Sequence, residues 1–328
     1  MDNIVDENYI AKHAMFSETV LSSLWASLYD LAVAKRNYDT EDYCWTVVSA
    51  FYAAEHAVNT LLIMNAEPDI FDIFIRYRGY YGCFNLWEPP SPLSALKSHK
   101  RKIKFLKNGL RSTRIPLKYS DNVAKWYKKL CNKYHCRRLR SLGEKFAILY
   151  EARKMQNYEG LIIAHFKRRD IFVREIWEGR PLALAQVVKE VAERAIEVSE
   201  SIVLEAINMF FDMFEDMINN LLRKNNIMYA GIALAHIEHL NEEYEQFKGY
   251  FYTENIANTL TLINERLRNI AEIGRKIKER YREKLKDIVN TFNEYTYSGI
   301  LKRFYGKEEI YKKLVNLKSK LKRMSETV

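Results

Sequence analysis

The sequence predicts an all-α protein, and three observations carry that expectation. Apolar residues recur at spacings of three and four along most of the chain, which is the period of an amphipathic helix. Turn-forming residues are scarce, with 6 prolines and 11 glycines in 328 residues and the last proline at Pro181. Sandwiches, barrels and doubly wound sheets need Gly/Pro-rich turns or Gly-rich loops at short intervals, so those classes are excluded. A hydrophobic content of 48% and an aromatic content of 13% supply a real core and exclude global disorder.

The elements follow in chain order. From Thr19 to Arg36 the apolar positions Val20, Leu21, Leu24, Leu28, Leu31 and Ala32 define one helix. Asp39-Thr40-Glu41-Asp42 offers the next helix start, with a cap and acidic charge that complement the helix dipole. Cys44 to Met64 is apolar around most of its circumference, which marks a central buried helix. An aromatic-rich connection containing Pro68 and Pro89-Pro90-Ser91-Pro92 follows. Helical periodicity returns after Gly143 and again from Ile162 to Trp177. Pro181 sits well at a first helical position, and a stripe from Leu184 through Val198 and Met209 to Leu221 forms a long amphipathic helix, ended by Lys224-Asn225-Asn226. A helix from about Met228 to Lys248 comes next. The last stripe, Ile256 to Tyr295, reads as one helix of roughly 60 Å at 1.5 Å per residue, antiparallel to the 182–222 helix. Lys302 to Arg323 reads as a short basic helix. The expected organisation is a bundle over 1–205 with a basic insertion at about 66–145, and a long antiparallel module over 206–328 that mediates oligomerisation.

The net charge of +10 is not spread evenly. Residues 97–145 hold 17 Lys/Arg against Asp121 and Glu144 alone, a local +15, so the rest of the chain sums to −5. Within this segment Lys100-Arg101-Lys102, Lys128-Lys129, Lys133 and Arg137-Arg138-Leu139-Arg140 are interleaved with Phe105, Trp126, Tyr127 and Tyr134. Cations suit phosphates and flat rings suit unstacked bases, so the mixture predicts binding of RNA or single-stranded DNA. The competing reading docks this basic face on the acidic 182–220 helix, which carries eight Asp/Glu and two Lys/Arg.

Other constellations carry less. Cys131, His135 and Cys136, completed by Cys83 or His99, could ligate zinc, yet only one short cysteine spacing exists, so ordinary thiols are expected. His236, His239 and Glu243 share one helix face, but no Glu-x-x-His of the di-iron type occurs, so no metal is expected there. His56, on the most apolar helix, reads as a core histidine, and Met209, Met213 and Met217 as core. There is no phosphate-cradling glycine loop and no nucleophile elbow, hence no expected cofactor. Four cysteines in a chain this long give no disulfide framework. The acidic N-terminus lacks a signal-peptide pattern, and no uncharged apolar run reaches the length of a membrane span, so a cytoplasmic protein is expected.

Three segments resemble a known family. Ser49-Ala50-Phe51-Tyr52-Ala53-Ala54-Glu55-His56-Ala57-Val58-Asn59-Thr60-Leu61-Leu62 is similar to the signature buried helix of HEPN domains. Leu149 to Gly160 resembles the family's later helix, written Leu-Tyr-x-x-Arg-x-x-Ala-Asp-Tyr-Gly, and Leu182-Ala183-Leu184-Ala185 with Ala192-Glu193-Arg194-Ala195 resembles the closing helix. The resemblance covers about 19–64 and 145–205. It implies a helical bundle in a toxin–antitoxin or RNA-defence setting, with a nucleotidyltransferase-type partner; a homo-oligomer is expected from the long-helix module. Nuclease members carry an Arg, four to six residues, then a His; none of the seven histidines here follows an Arg at that spacing. The nearest analogue is Arg153 with Tyr158, and an unperturbed tyrosine, pKa about 10, is ionised only about one part in 10³ at pH 7. The resemblance therefore implies a non-nuclease, nucleic-acid- or nucleotide-binding member. The alternatives are a divergent metal-independent ribonuclease that pairs Arg153 with His56 or His165, and a helical scaffold.

Overall fold

The helical periods and the scarcity of turn residues translate into a bundle in which no strand occurs among the described residues. The computed structural model describes residues 6–70, 98–109, 127–158, 181–250 and 254–296. The aromatic connection, Trp126, His165 with the 162–177 segment, and the 302–323 tail lie outside them.

Helix α1 (Glu7–Asp39) starts well before the expected Thr19, because Asp6 caps it by accepting from the Tyr9 amide at 3.2 Å. Thr40 closes α1, Glu41 turns the chain with a positive φ, and Asp42 begins α2 (Tyr43–Ile70) by accepting from the Trp45 amide at 3.3 Å. Over Tyr43–Asn65, α2 meets the length and hydropathy of a membrane span, but 78% of that stretch is buried inside the bundle. Its apolar circumference is explained by neighbours on most sides: α1, then α4 (Cys136–Tyr158) and α5 (Pro181–Arg223). Phe51 of α2 stacks on Phe146 of α4 with centroids 5.6 Å apart, and Ser199 Oγ of α5 donates to the Ala50 carbonyl at 2.7 Å.

Short α3 (His99–Asn108) rides on α4. Ser98 caps its start, and Gly109 ends it in the left-handed region at φ 65°. A Cβ at Gly109 would stand 2.6 Å from the Tyr127 ring, so both backbone and packing require glycine there. At Gly143 of α4 a Cβ would stand 2.9 Å from Leu106, which is how closely α3 approaches.

Helix α5 spans 43 residues, and Asn225 in a positive-φ turn ends it, with Asn226 Oδ1 accepting from the Met228 amide of α6 (Ile227–Tyr250) at 2.8 Å. The expected boundary near 205 therefore falls inside an unbroken helix. One hydrophobic cluster joins Phe16 of α1, Phe51 of α2 and Phe210 of α5 to Tyr244 of α6 and Phe292 farther along. The expected single helix over 256–295 is also corrected. A 3-10 turn (Glu254–Ile256) leads into α7 (Ala257–Tyr281), a second 3-10 turn (Arg282–Leu285) breaks it with Arg282 at φ 47°, and α8 (Lys286–Glu294) follows. Both α7 and α8 pack chiefly on α6, not on α5 as expected, and α8 also reaches α1.

Candidate nucleic-acid interface

The basic segment divides by helix face. On α3 the apolar period turns Lys102, Phe105 and Leu106 inward, leaving Lys100 and Lys104, one turn apart, exposed. Lys102, a predicted phosphate contact, is corrected outright: its side chain is 2% exposed and its Nζ lies 2.7 Å from Glu55 Oε1 on α2. No phosphate can reach it. Arg101 is half-buried at the edge of the same helix.

The next stretch, helical over 127–134, joins α4 at His135, which has a positive φ of 62°. Cys131 and Cys136 bracket this turn as a disulfide, which corrects the expectation of free thiols and leaves them unable to ligate zinc. The cations that follow meet the acidic face of α5. Lys133 Nζ pairs with Asp216 and donates to the Asp212 carbonyl at 3.2 Å. Arg138 Nε donates to Glu205 Oε1 at 2.6 Å, and Lys145 donates to Ser201 Oγ at 2.8 Å beside the same glutamate. The rings go inward as well. Phe105 is fully buried, Tyr127 is half-buried edge-on to it, and Tyr134 is buried with its hydroxyl donating to the Met209 carbonyl at 3.0 Å. Burial, reinforced by Asp212 and Asp216, pushes the Tyr134 pKa upward. The described rings thus serve the core and are not placed to stack bases.

An outward set remains. Lys100, Lys104, Lys128, Arg137 and Arg140 are exposed, and among the described residues none of the five meets a carboxylate. Lys129 is exposed beside Lys128. Arg137 and Arg140 share a face of α4 opposite Leu139, Leu142 and Phe146.

A second polar group lies just beneath. Glu55 Oε1 accepts from Lys102 and also sits 2.8 Å from His99 Nδ1, the first residue of α3. Burial works to raise the Glu55 carboxyl, but His99 and Lys102 outweigh it and hold the pKa at about 2. His99 lies against the rings of Phe51 and Tyr150, at 5.2 and 5.6 Å. Arg153 covers the same Phe51 ring at 4.9 Å and donates to the Tyr52 hydroxyl at 2.8 Å. His56, expected beside Arg153 if a nuclease, faces the other way on α2 and lies 3.6 Å from Asp30 of α1. Tyr158 closes α4, and its side chain lies outside the description. Sequence reasoning missed His99 as a partner of Glu55, since 44 residues separate them; Ser98 as a helix cap was the only local signal.

No protein-family model, curated protein or solved structure matches this chain.

Proposed function

We propose that this is a HEPN-like helical protein that binds nucleic acid through its outward cations, in a toxin–antitoxin or defence setting. Two things support the reading. The three family-like segments lie on α2, α4 and α5, which pack against one another around Phe51 and Phe146. The observation that carries the binding role is the set Lys100, Lys104, Lys128, Arg137 and Arg140, exposed and without carboxylate partners among the described residues, while their neighbours spend their charge on α5. Phosphate contacts of this kind are sequence-tolerant and salt-dependent, with a slope of about −0.7 per contact on single strands. Anisotropy with labelled single-stranded RNA across a salt series tests it. Lys100→Glu with Lys104→Glu, or Arg137→Glu with Arg140→Glu, should weaken binding several-fold and flatten the salt slope. Unchanged affinity in both variants removes the surface from consideration.

A second reading rests on a specific contact, the His99–Glu55 pair with Arg153 on the shared Phe51 ring. A half-exposed imidazole held by a carboxylate is a candidate general base, and a guanidinium nearby could steady a developing phosphorane charge. This is metal-independent ribonuclease chemistry. Cleavage of the same RNA in EDTA, lost in His99→Ala and in Arg153→Ala, would establish it; binding without cleavage leaves the binder. Neither binding nor cleavage would leave the scaffold.

A further inference from the structure

The two-histidine face of α6 divides its labour. His236 is fully buried, and its Nε2 lies 2.9 Å from His13 Nδ1 of α1. Burial, aided by His13 and His239, pushes the His236 pKa well below its ordinary value, so His236 meets His13 as a neutral ring. His239, three residues on, turns to a different part of α1. Its side chain is 6% exposed and its Nε2 approaches Glu18 Oε2 to 3.1 Å. That approach has the distance of an ion pair but not the angle of a hydrogen bond, and Nε2 has no hydrogen-bond partner among the described residues. Glu243, one turn beyond His239 on the same face, brings a second carboxylate. One donor atom from each of the three residues lies within 4.8 Å of the other two.

Two carboxylates converge on one buried imidazole nitrogen that has no hydrogen-bond partner among the described residues, a donor set suited to a cation. Donors that share one ion at about 2.0–2.2 Å stand roughly 3–3.5 Å apart, so the cluster needs only side-chain rotations to close on a cation.

We propose that Glu18, His239 and Glu243 form a binding site for a divalent transition-metal ion, clamping α1 to α6. Two carboxylates balance a charge of +2, and imidazole favours Zn²⁺, Mn²⁺ or Fe²⁺ over the all-oxygen cations Mg²⁺ and Ca²⁺. Three protein donors leave a further position for water. The absence of Glu-x-x-His spoke against a metal on this face, but the third donor comes from α1, 221 residues away.

The full chain, stripped with EDTA and dialysed, is titrated with ZnCl₂ by calorimetry and with CoCl₂ by visible absorption. One saturable equivalent is expected, together with cobalt bands free of a thiolate charge-transfer component and a Tm that rises with Zn²⁺. Glu243→Gln should weaken affinity at least tenfold, and His239→Ala should abolish it. His135→Ala, beside Cys131 and Cys136, should change nothing. Glu243 is only half-buried and glutamine matches its shape, so Glu243→Gln decides the matter even if His239→Ala fails to fold. Without metal, Glu243→Gln should keep or raise Tm by removing a like charge. Absence of a saturable equivalent, unchanged affinity in Glu243→Gln, or loss in His135→Ala alone each overturns the site.

Discussion

Asp30 and Glu55 sit on the two most intimately packed helices, α1 and α2, and titrate in opposite directions. Burial alone pushes Asp30 from 3.8 up to about 7, while Glu55, more deeply enclosed, is held at about 2. The difference is the neighbour. Glu55 faces the Lys102 ammonium and His99, whereas Asp30 faces His56, whose own pKa is lowered first by burial and which therefore offers little positive charge near neutrality. Enclosure decides how much a charge costs, and the partner decides its sign. The linkage signs follow. Glu55 adds stability that is fully present above pH 4.5 and lost as pH falls toward 2. Asp30, raised, is least costly below about pH 4, and stability declines as pH rises through about 7.

The sharpest way to break this contrast is to remove the cation. Lys102→Ala leaves the buried Glu55 with His99 as its remaining partner, and should cost up to about 3–5 kcal/mol in denaturant unfolding at pH 7. Lys102→Met with Glu55→Met removes both charges and should recover most of that loss. If the single change costs under about 1 kcal/mol, the ammonium is not what holds the carboxylate. Asp30→Asn works in the opposite sense. It should leave stability nearly untouched at pH 4 and raise it at pH 8 by up to about 3 kcal/mol, flattening the decline between. Urea midpoints of both proteins at the two pH values check it; parallel curves would mean that Asp30 titrates normally.

These two carboxylates also show what a sequence can and cannot disclose. The all-α class, the buried nature of α2 and the Asn225 stop were legible because periodicity, apolar circumference and turn chemistry are local properties. The break in the last helix was not legible: Ile277, Tyr281, Leu285 and Ile288 keep the helical spacing straight through the 3-10 turn at Arg282. Side chains alone do not reveal a backbone that changes its pitch. The basic segment was legible as charge but not as destination. Lys100 and Lys102 look alike in the chain, and only the inward period set by Phe105 and Leu106 sends one to solvent and the other to Glu55. The same holds for Glu18, which lies on α1 with nothing nearby in sequence to announce His239.

The smallest expected effect belongs to the surface counterpart of the Lys102 pair. Arg138 is 44% exposed where it meets Glu205, and its charge is solvated in either state. Water screens such a contact, and holding a long side chain in place costs entropy, so Arg138→Ala should change stability by no more than about 1 kcal/mol. A double-mutant cycle with Glu205→Ala isolates the coupling, which should also shrink on raising the salt. Lys145 shares Glu205, so some attraction survives the loss of Arg138 and dilutes the single-mutant effect further. A coupling several times larger, insensitive to salt, would mean that the seam between α4 and α5 excludes water, and the docked cations would then belong with Lys102 among the structural charges.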